Sequence, residues 1–457
     1  ETSPEVIVAL LAHYRAGLVH VPINPGYRGQ ELTHILEDSG AAAVLVRAGS
    51  AATGVLNAIA PPKGLRLQIL IGGSGGAPGT LAFEWLARTQ LPRSASDAPP
   101  LAADEDTAAL VYTSGTTGKS KGVELSFRAI VENTEAVTRL WRFTPEDRVV
   151  LALPLFHVHG LCLGAHGALL HGQTLLLQEH FDAASVAGLF AASGATVFMG
   201  VPTMYVRLLE HMAETPEAAA SLARGRLFTV GSAALPDDDF AAFKERTGHR
   251  VLERYGMTET LFTLSNPYDD RRPGTAGLPV PGCVVRIVGE KGQEVGAGKP
   301  GQILVRSNGM MTGYRGKPAE TAASLRGGWF ATGDIARAGP GGYVTIEGRD
   351  SVDIIKSGGF KISAREIEDV LRRHPIVKDV AVVGAPDRVW GQKVVAVVVL
   401  ADPAGAPSEA WLLSDLSSFC ARHLADYKCP RAVRVLPELP RNALGKVQKH
   451  RILERIG

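Results

Sequence analysis

Cysteine is scarce in this chain of 457 residues: there are four, at 162, 283, 420 and 429, with none of the short spacings that build zinc or redox pairs. A disulfide-stapled or zinc-organised domain is thereby excluded, and four separate thiols point to a reducing, cytoplasmic setting. Charge of one sign is missing too. The 48 basic and 46 acidic residues leave a net charge of +2 with the basic residues dispersed, so no electrostatic footprint for nucleic acid is present. Long apolar runs are few. Residues 150–170 approach membrane length, but Pro154, His157, His159 and His166 would be costly in lipid. That stretch reads as buried strand, loop and helix, and no membrane partner is expected. An initiator methionine is also absent. The chain opens at Glu1 inside a helical pattern, so the natural start and any targeting segment are expected upstream.

What the chain does contain, 45% apolar and 21% charged residues, is typical of soluble globular proteins. Its length exceeds one ordinary core, so two or more domains are expected. Strand and helix patterns alternate from the start: 6–16 reads as helix, 20–23 as strand, 31–37 as helix and 42–46 as strand. This alternation predicts an α/β fold with parallel sheet. Residues 72–103, rich in Gly, Pro, Ser and Ala, read as a surface excursion. The alternation resumes at Ala108 and runs to about Asn266. Between 282 and 346 short strands with Gly turns (284–288, 302–305, 343–346) form the pattern of a small β subdomain. After Gly348-Arg349-Asp350 comes a unit with its own pattern: helix 366–373, strands 377–383 and 393–400, and helix 409–423. The expected architecture is therefore a large N-terminal domain, 1–349, of α/β sheet subdomains plus a small β subdomain. A small α+β C-terminal domain, 350–457, follows it.

The most informative stretch is 111–122, Val-Tyr-Thr-Ser-Gly-Thr-Thr-Gly-Lys-Ser-Lys-Gly. Behind an apolar strand it gathers the hydroxyls of Thr113, Ser114, Thr116 and Thr117, the glycines Gly115 and Gly118, and Lys121. Glycine lets backbone N–H groups close on an anion, hydroxyls add donors, and lysine neutralises charge; a polyphosphate is the expected guest. The loop is not a Walker A motif. Gly118-Lys119-Ser120 fits one end of that pattern, but position 113 is Thr. A strand-like piece, 122–125, also precedes the helix that Ser126 would cap. The plainer alternative is a Ser/Gly-rich surface turn, and such a density of hydroxyls directly after a buried strand argues against it.

This stretch resembles the signature loop of adenylate-forming enzymes, which comprise acyl-CoA synthetases, firefly-type luciferases and peptide-synthetase adenylation domains. Further matches follow in family order. Residues 231–236, Gly-Ser-Ala-Ala-Leu-Pro, resemble the adenine-contacting turn, and 253–259, Glu-Arg-Tyr-Gly-Met-Thr-Glu, the nucleotide and magnesium motif. Residues 331–334, Ala-Thr-Gly-Asp, resemble the ribose motif, and Gly348-Arg349 the start of the hinge. Residues 356–361 with 366–368 resemble the C-terminal domain motif, and 440–446, Pro-Arg-Asn-Ala-Leu-Gly-Lys, the catalytic-lysine loop. The resemblance spans essentially the whole chain, apart from a first strand-helix unit before Glu1. It implies formation of acyl-AMP from a carboxylic acid and ATP with Mg2+. Transfer of the acyl group to coenzyme A follows, with a mobile C-terminal domain rotating between the two halves.

Carried onto this chain, the resemblance gives each motif residue a role. Thr113, Ser114, Gly115, Thr116, Thr117, Gly118 and Lys121 hold the phosphates, and Thr258 bonds the α-phosphate. Ser232, Ala233, Ala234, Glu253, Gly256 and Met257 surround the nucleotide. Tyr255 offers a flat face near adenine, with ordinary packing as the alternative. Glu259 is the carboxylate for Mg2+, a hard ion that prefers oxygen. Asp334 accepts the ribose hydroxyls, and Arg349 reaches ribose or phosphate. Lys446 bridges the acid's carboxylate and the α-phosphate. Gly358 and Gly359 admit the pantetheine arm of CoA. Lys356, Lys361, Lys428 and Arg431 meet its phosphates or form a solvated basic face. The family often has Asp or Lys two residues after the hinge Arg; Ser351 stands there, which leaves the pivot open.

Three segments, 155–160, 200–207 and 260–262, are expected to wall the acyl pocket, with His157, Val158, Arg207 and Phe262 facing the acid. They most resemble malonyl-CoA synthetases, in which an Arg after Val-Pro-Thr holds the distal carboxylate of malonate. A buried Arg207 would suit that role; a surface or ion-paired helix residue is the alternative. Phe262 departs from relatives that carry Met. The expected substrate is malonate or methylmalonate. The alternatives are a ligase for short or medium monocarboxylates, an adenylation module that loads a carrier protein, and a non-catalytic nucleotide binder. The last would be expected to lose Lys446 or Glu259, and both are present. Nothing in the pattern bears on oligomeric state.

Overall fold

The computed structural model describes the chain except residues 1, 28, 61, 76–77, 90–101, 114–119, 350–352, 358–359, 388–389, 404, 425, 443–444 and 457; of residues 356, 360 and 361 it describes the backbone alone. At its centre is a seven-stranded sheet in the order Leu278–Pro279, Leu261–Ser265, Leu252–Met257, Leu227–Val230, Val197–Gly200, Arg148–Leu151, Thr174–Leu177. The last five run parallel. Val197–Gly200 and Leu227–Val230 are buried at every residue, as strands covered on both faces must be. Helices Phe127–Leu140, Pro202–Glu214 and Asp237–Thr247 contribute to the same core, where Trp141, Tyr205, Phe198 and Phe228 are fully buried. Burying each such side chain stabilises the fold by about 1.5–3 kcal/mol. Ser126 caps the first of these helices, its Oγ accepting from the Ala129 N–H at 3.1 Å, a bond worth about 1 kcal/mol.

Two smaller sheets flank this centre. An antiparallel one pairs Gly313–Tyr314, Lys121–Ser126 and Thr107–Thr113. A parallel one orders Ala43–Arg47, Leu67–Ile71 and Thr80–Ala82. The expected β subdomain is an antiparallel five-stranded sheet containing Cys283–Val288, Gly301–Ser307, Trp329–Ala338 and Val344–Arg349. Beyond Arg349 lies another sheet, Phe360–Ser363, Ile354–Ser357, Gly391–Leu400 and Val377–Asp387, with Ala432–Val435 added parallel to Gly391–Leu400. Alternate residues of its long strands point to opposite faces. Val380, Val382 and Val394 join helices Ala364–Leu371 and Glu409–Ala421 in one core, while Ala381, Val383 and Val395 join helix Lys449–Ile456 in another.

Two expectations need adjustment, at 20–23 and 72–103, and a third, for 150–170, holds. The strand at 20–23 is a single bridge, His20 to Ala109, because Pro22 has no N–H to continue a ladder. Residues 72–103 are more than an excursion: they hold strand Thr80–Ala82 and helix Phe83–Arg88, disguised by small residues around them. Residues 150–170 continue from strand Arg148–Leu151 into the wholly buried π-helical turn His159–His166 and the helix Gly167–Leu170. Among the described residues no helix is long and apolar enough to cross a membrane.

Candidate active site

Parallel strands place their C-terminal ends along one edge of a sheet, where ligands bind in such folds. A cavity of about 1000 Å3 reaches that edge and continues along the N-terminal sheet. Leu155, Val201, Thr203 and Arg207 line it, and so do Arg441 and Gly445 from the C-terminal unit. Gly445 has φ +74°, and a Cβ on it would lie 2.6 Å from Thr203 Oγ1. Only glycine lets the tip of the 441–447 loop rest there. Arg441 braces the loop, donating from Nη1 to Gly445 O and from Nη2 to Asp379 Oδ2, both at 2.6 Å. The N–H of Lys446 donates to Asn442 Oδ1 at 2.9 Å, and the Lys446 side chain is exposed.

Thr258 and Glu259 occupy the turn between strands Leu252–Met257 and Leu261–Ser265. Glu259 is buried, and its Oε1 accepts from the Tyr314 hydroxyl at 3.0 Å. Burial raises its pKa, opposed by the Tyr314 bond and by the charges of Arg349 and Lys121. Lys121 sits 2.5 Å from Glu320 Oε2 and 5.0 Å from the Tyr314 ring centroid. It pairs across a hairpin with Thr113. Ser114, Gly115, Thr116, Thr117 and Gly118 lie outside the described residues. No group of three His, Cys, Asp or Glu side chains suited to a metal exists among the described residues. Mg2+ takes one or two carboxylates and completes its shell with phosphate oxygens and water. Glu259 is a donor of that kind.

Asp334 and Arg349 face each other on adjacent strands. Asp334 Oδ1 accepts from Arg349 Nε at 2.9 Å, Oδ2 from the Tyr255 hydroxyl at 2.6 Å, and its own N–H donates to Thr332 Oγ1 at 3.0 Å. The Tyr255 ring packs on the β-subdomain core with Ile303 and Val305, so its polar handle holds the carboxylate. Burial would lower the pKa of Arg349, but the charge and hydrogen bond of Asp334 outweigh it and raise it. Gly256 and Met257 follow Tyr255 on the same strand. In the turn after Leu227–Val230, Ser232 has φ +69°, a strained value for a residue with a side chain; Ala233 is exposed and Ala234 half-buried.

Arg207 lines the cavity, as expected of the acyl wall, but from an exposed position, because Met204, Tyr205, Leu208 and Met212 form the buried face of helix Pro202–Glu214 and residues 206 and 207 lie off that face. Arg254 carries a buried guanidinium, 6% exposed, with no partner among the described residues for Nε or Nη2. It lies against Gly231, where a Cβ would come within 2.5 Å of its Cζ, and 5.1 Å from the Phe262 ring centroid. Burial pushes its pKa down to about 9. His159 is nearby, buried, with both ring nitrogens unpartnered; burial, then the charges of Arg254 and His157, holds it neutral. Burial also lowers His157 to about 4. Val158 packs against the main core. Asn133 clamps the buried Phe262 backbone, donating to Phe262 O and accepting from its N–H, both at 2.9 Å. Glu253 is buried and raised to about 8 by burial, against the charge of Arg365. Sequence reasoning missed Arg254, Asn133 and Tyr314. The available signal for Arg254 was its place within the 253–259 motif, directly after apolar Val251-Leu252 and the charged Glu253.

For coenzyme A the described residues give less. Gly358 and Gly359 lie outside them, as do the side chains of Lys356 and Lys361. Lys428 Nζ pairs with Glu366 at 2.6 Å, and the guanidinium of Arg431 lies 3.7 Å from the Trp390 ring centroid.

The family model described as AMP-binding enzyme matches residues 1–315, and that of the AMP-binding enzyme C-terminal domain matches residues 366–446. A malonate–CoA ligase of Arabidopsis thaliana is 35% identical over 474 residues, spanning 98% of this chain and 75% of the relative. The crystal structure of ATP-bound MatB from Rhodopseudomonas palustris is similar with a TM-score of 0.87 at 36% identity, over 99% of this chain and 86% of that one. A malonyl-CoA ligase in a ternary product complex with methylmalonyl-CoA and AMP is similar with a TM-score of 0.66 at 39% identity, over 96% and 89%.

Proposed function

Because this chain belongs to the family of AMP-binding enzymes, we propose that it is an AMP-forming acid–thiol ligase that converts malonate or methylmalonate to its CoA thioester. The observation that carries this reading is the seating of the 441–447 loop on Thr203. It brings the segment bearing Lys446 to the wall of the cavity that would receive the acid.

A carboxylate oxygen of the acid attacks the α-phosphorus of ATP, the bond from that phosphorus to the bridging oxygen breaks, and pyrophosphate leaves. The thiolate of CoA then attacks the acyl carbon and AMP departs. Both attacks build negative charge at a crowded centre, so the residues mainly position reactants and offset charge. Lys446 bridges the carboxylate and the α-phosphate, with Thr258 beside them. Thr113, Ser114, Thr116, Thr117 and Lys121 hold the outer phosphates. Asp334, fixed by Tyr255 and Arg349, accepts from the ribose. Glu259 would hold Mg2+, and the ion would supply charge neutralisation for the phosphates. Arg207 at the rim and Arg254 beneath receive the distal carboxylate, while Val158 and Phe262 limit the 2-substituent. Gly358, Gly359 and Lys356 meet CoA.

The unit 350–457 rotates on 1–349 between the two steps, through a hinge that starts at Gly348-Arg349. This is supported by the higher TM-score against the ATP-bound relative, 0.87, than against the CoA-product complex, 0.66, although identity to the latter is no lower. A cytoplasmic location is supported by four free, buried cysteines.

The test is pyrophosphate release with malonate, methylmalonate, acetate and butyrate, with and without CoA. The highest kcat/KM is expected for malonate or methylmalonate, and a higher value for butyrate would refute the dicarboxylate reading. Lys446→Ala is expected to slow acyl-AMP formation by about 100-fold or more and to leave thioester formation from supplied acyl-AMP largely intact. Equal loss in both would refute its role.

A further inference from the structure

Lys449 lies three residues beyond Lys446, at the start of helix Lys449–Ile456, and its side chain is only 10% exposed. Its ammonium stands between two carboxylates, 2.7 Å from Asp353 Oδ1 and 2.8 Å from Glu368 Oε1. Both carboxylates have further duties. Asp353 Oδ2 accepts from the Arg349 N–H at 3.0 Å, and Glu368 Oε1 from the Val382 N–H at 2.7 Å. Arg349 in turn holds Asp334. A continuous set of polar contacts therefore runs from Asp334 through Arg349 and Asp353 to Lys449. The lysine loop closes immediately before it, with Gln448 N–H donating to Pro440 O at 2.8 Å and a bridge between Arg441 and Val447.

Burying an ammonium with two carboxylates is a poor route to stability, since desolvation takes back most of the attraction. What such a cluster does well is fix geometry: each member has one place to sit, and moving any of them leaves a buried charge unpaired. Lys121 and Lys428 each pair with one carboxylate at a more exposed site, and neither links two segments in this way.

We propose that Lys449 is a positioning residue for Lys446: it pins the base of the 441–447 loop to Asp353 and so to the Arg349 backbone, which sets where the loop tip stands on Thr203. This rests on Lys446 being the lysine of acyl-AMP formation. Lys449 itself touches no reactant. Its contribution belongs to the half-reaction in which the loop is seated at the acid's cavity, and thioester formation does not draw on it.

The experiment uses the full chain with malonate, ATP and magnesium for pyrophosphate release, and supplied acyl-AMP with CoA for thioester formation. Lys449→Met is expected to lower kcat for acyl-AMP formation by about 100-fold, the scale of a small misplacement of a catalytic group. KM for malonate and the thioester rate should stay within about threefold of the parent. Lys449→Arg should recover most of the loss, since a guanidinium still spans both carboxylates. If Lys449→Met does not fold, Asp353→Asn is read in the same two assays and must give the same split. Equal loss in both half-reactions, or no loss in the first, overturns the proposal and leaves Lys449 a packing ion pair. Lys446→Ala run alongside separates the two readings. Retained acyl-AMP formation there defeats the assignment of Lys446, whereas its loss with an unaffected Lys449→Met defeats only the coupling.

Discussion

Replacing Arg254 with methionine is expected to stabilise the substrate-free protein while removing its response to a dicarboxylate. The guanidinium is buried between Gly231 and Phe262, and its Nε and Nη2 have no partner among the described residues. Burial takes its pKa from the usual guanidinium range down to about 9, which places a penalty on the order of 4–5 kcal/mol on the charged form. At pH 7 the group is still charged. The Phe262 ring returns about 1–2 kcal/mol, and Met fills similar volume without charge, so the variant should gain about 2 kcal/mol in the absence of acid. That corresponds to a rise of about 2 °C in Tm for a protein of this size. The sign follows from a depressed pKa on a cation. The penalty is present in full below about pH 9 and fades as pH rises from there toward the unfolded value. The advantage of the variant should therefore narrow in alkaline buffer. Malonate should raise the Tm of the parent and leave that of the variant unchanged. kcat/KM for malonate should fall by about 2–5 kcal/mol in free-energy terms, roughly 30- to several-thousand-fold. Thermal melts with and without malonate decide the matter. A variant that melts below the parent without acid, yet still responds to malonate, would show that Arg254 has an anchoring role in the fold and does not await an anion.

Glu259→Gln should slow acyl-AMP formation by about tenfold or more and shift its magnesium optimum upward; a magnesium titration that leaves both unchanged marks the carboxylate as purely structural. Arg207→Met, at an exposed position, should raise KM for malonate by only a few-fold and make it less salt-dependent, with butyrate unaffected; kinetics at two ionic strengths check this, and a loss matching that of Arg254→Met would reverse the ranking of the two arginines. Glu253 holds its proton up to about pH 8 in the fold. The stability this contributes is complete below the usual carboxylate range, near pH 4, and is lost as pH rises through about 8. Denaturant unfolding of the parent should therefore weaken between pH 5 and 8, and Glu253→Gln should flatten that slope; parallel slopes in the two proteins would contradict it.

Much of the fold could be read residue by residue, because most of its elements are set by local pattern. Strands of continuous apolar character, such as those expected at 377–383 and 393–400, need no partner to be recognised, and they are strands Val377–Asp387 and Gly391–Leu400. Helix Phe127–Leu140 begins where Ser126 offers its hydroxyl. The change from helix-strand alternation to short antiparallel strands after residue 282 marks the β subdomain. Failures came where composition masks pattern. Pro22 leaves an apolar segment with one bridge instead of a ladder, and helix Phe83–Arg88 is hidden among small residues. No local signal announces the packing of the 441–447 loop on Thr203, which joins residues more than two hundred positions apart and depends on Gly445 having no side chain.

The candidate site divides the same way, and the two arginines make the reason clear. A phosphate-binding reading of 111–122 follows from residue chemistry alone, whereas the roles of Glu259, Asp334 and Arg349 came from resemblance, since nothing local to any of them names a ligand. Their assembly is a matter of sheet register, Asp334 opposite Arg349, and of the hydroxyls of Tyr255 and Tyr314 that reach across to hold the carboxylates. Arg207 drew attention because it follows apolar residues at a helix start. On a helix, though, neighbours in sequence point about 100° apart, and the buried face defined by Met204, Tyr205, Leu208 and Met212 leaves 207 on the open side, along the cavity wall. A charged side chain on a helix therefore has an easy route to water. Arg254 has none. Its strand lies inside the parallel sheet, where both faces are covered, so a charge there can be balanced only by another buried group or by something that binds. Among the described residues nothing meets its Nε or Nη2. On the proposal that the acid's distal carboxylate does so, the discrimination between malonate and a plain monocarboxylate lies at the sheet, and Arg207 on the cavity wall aids capture.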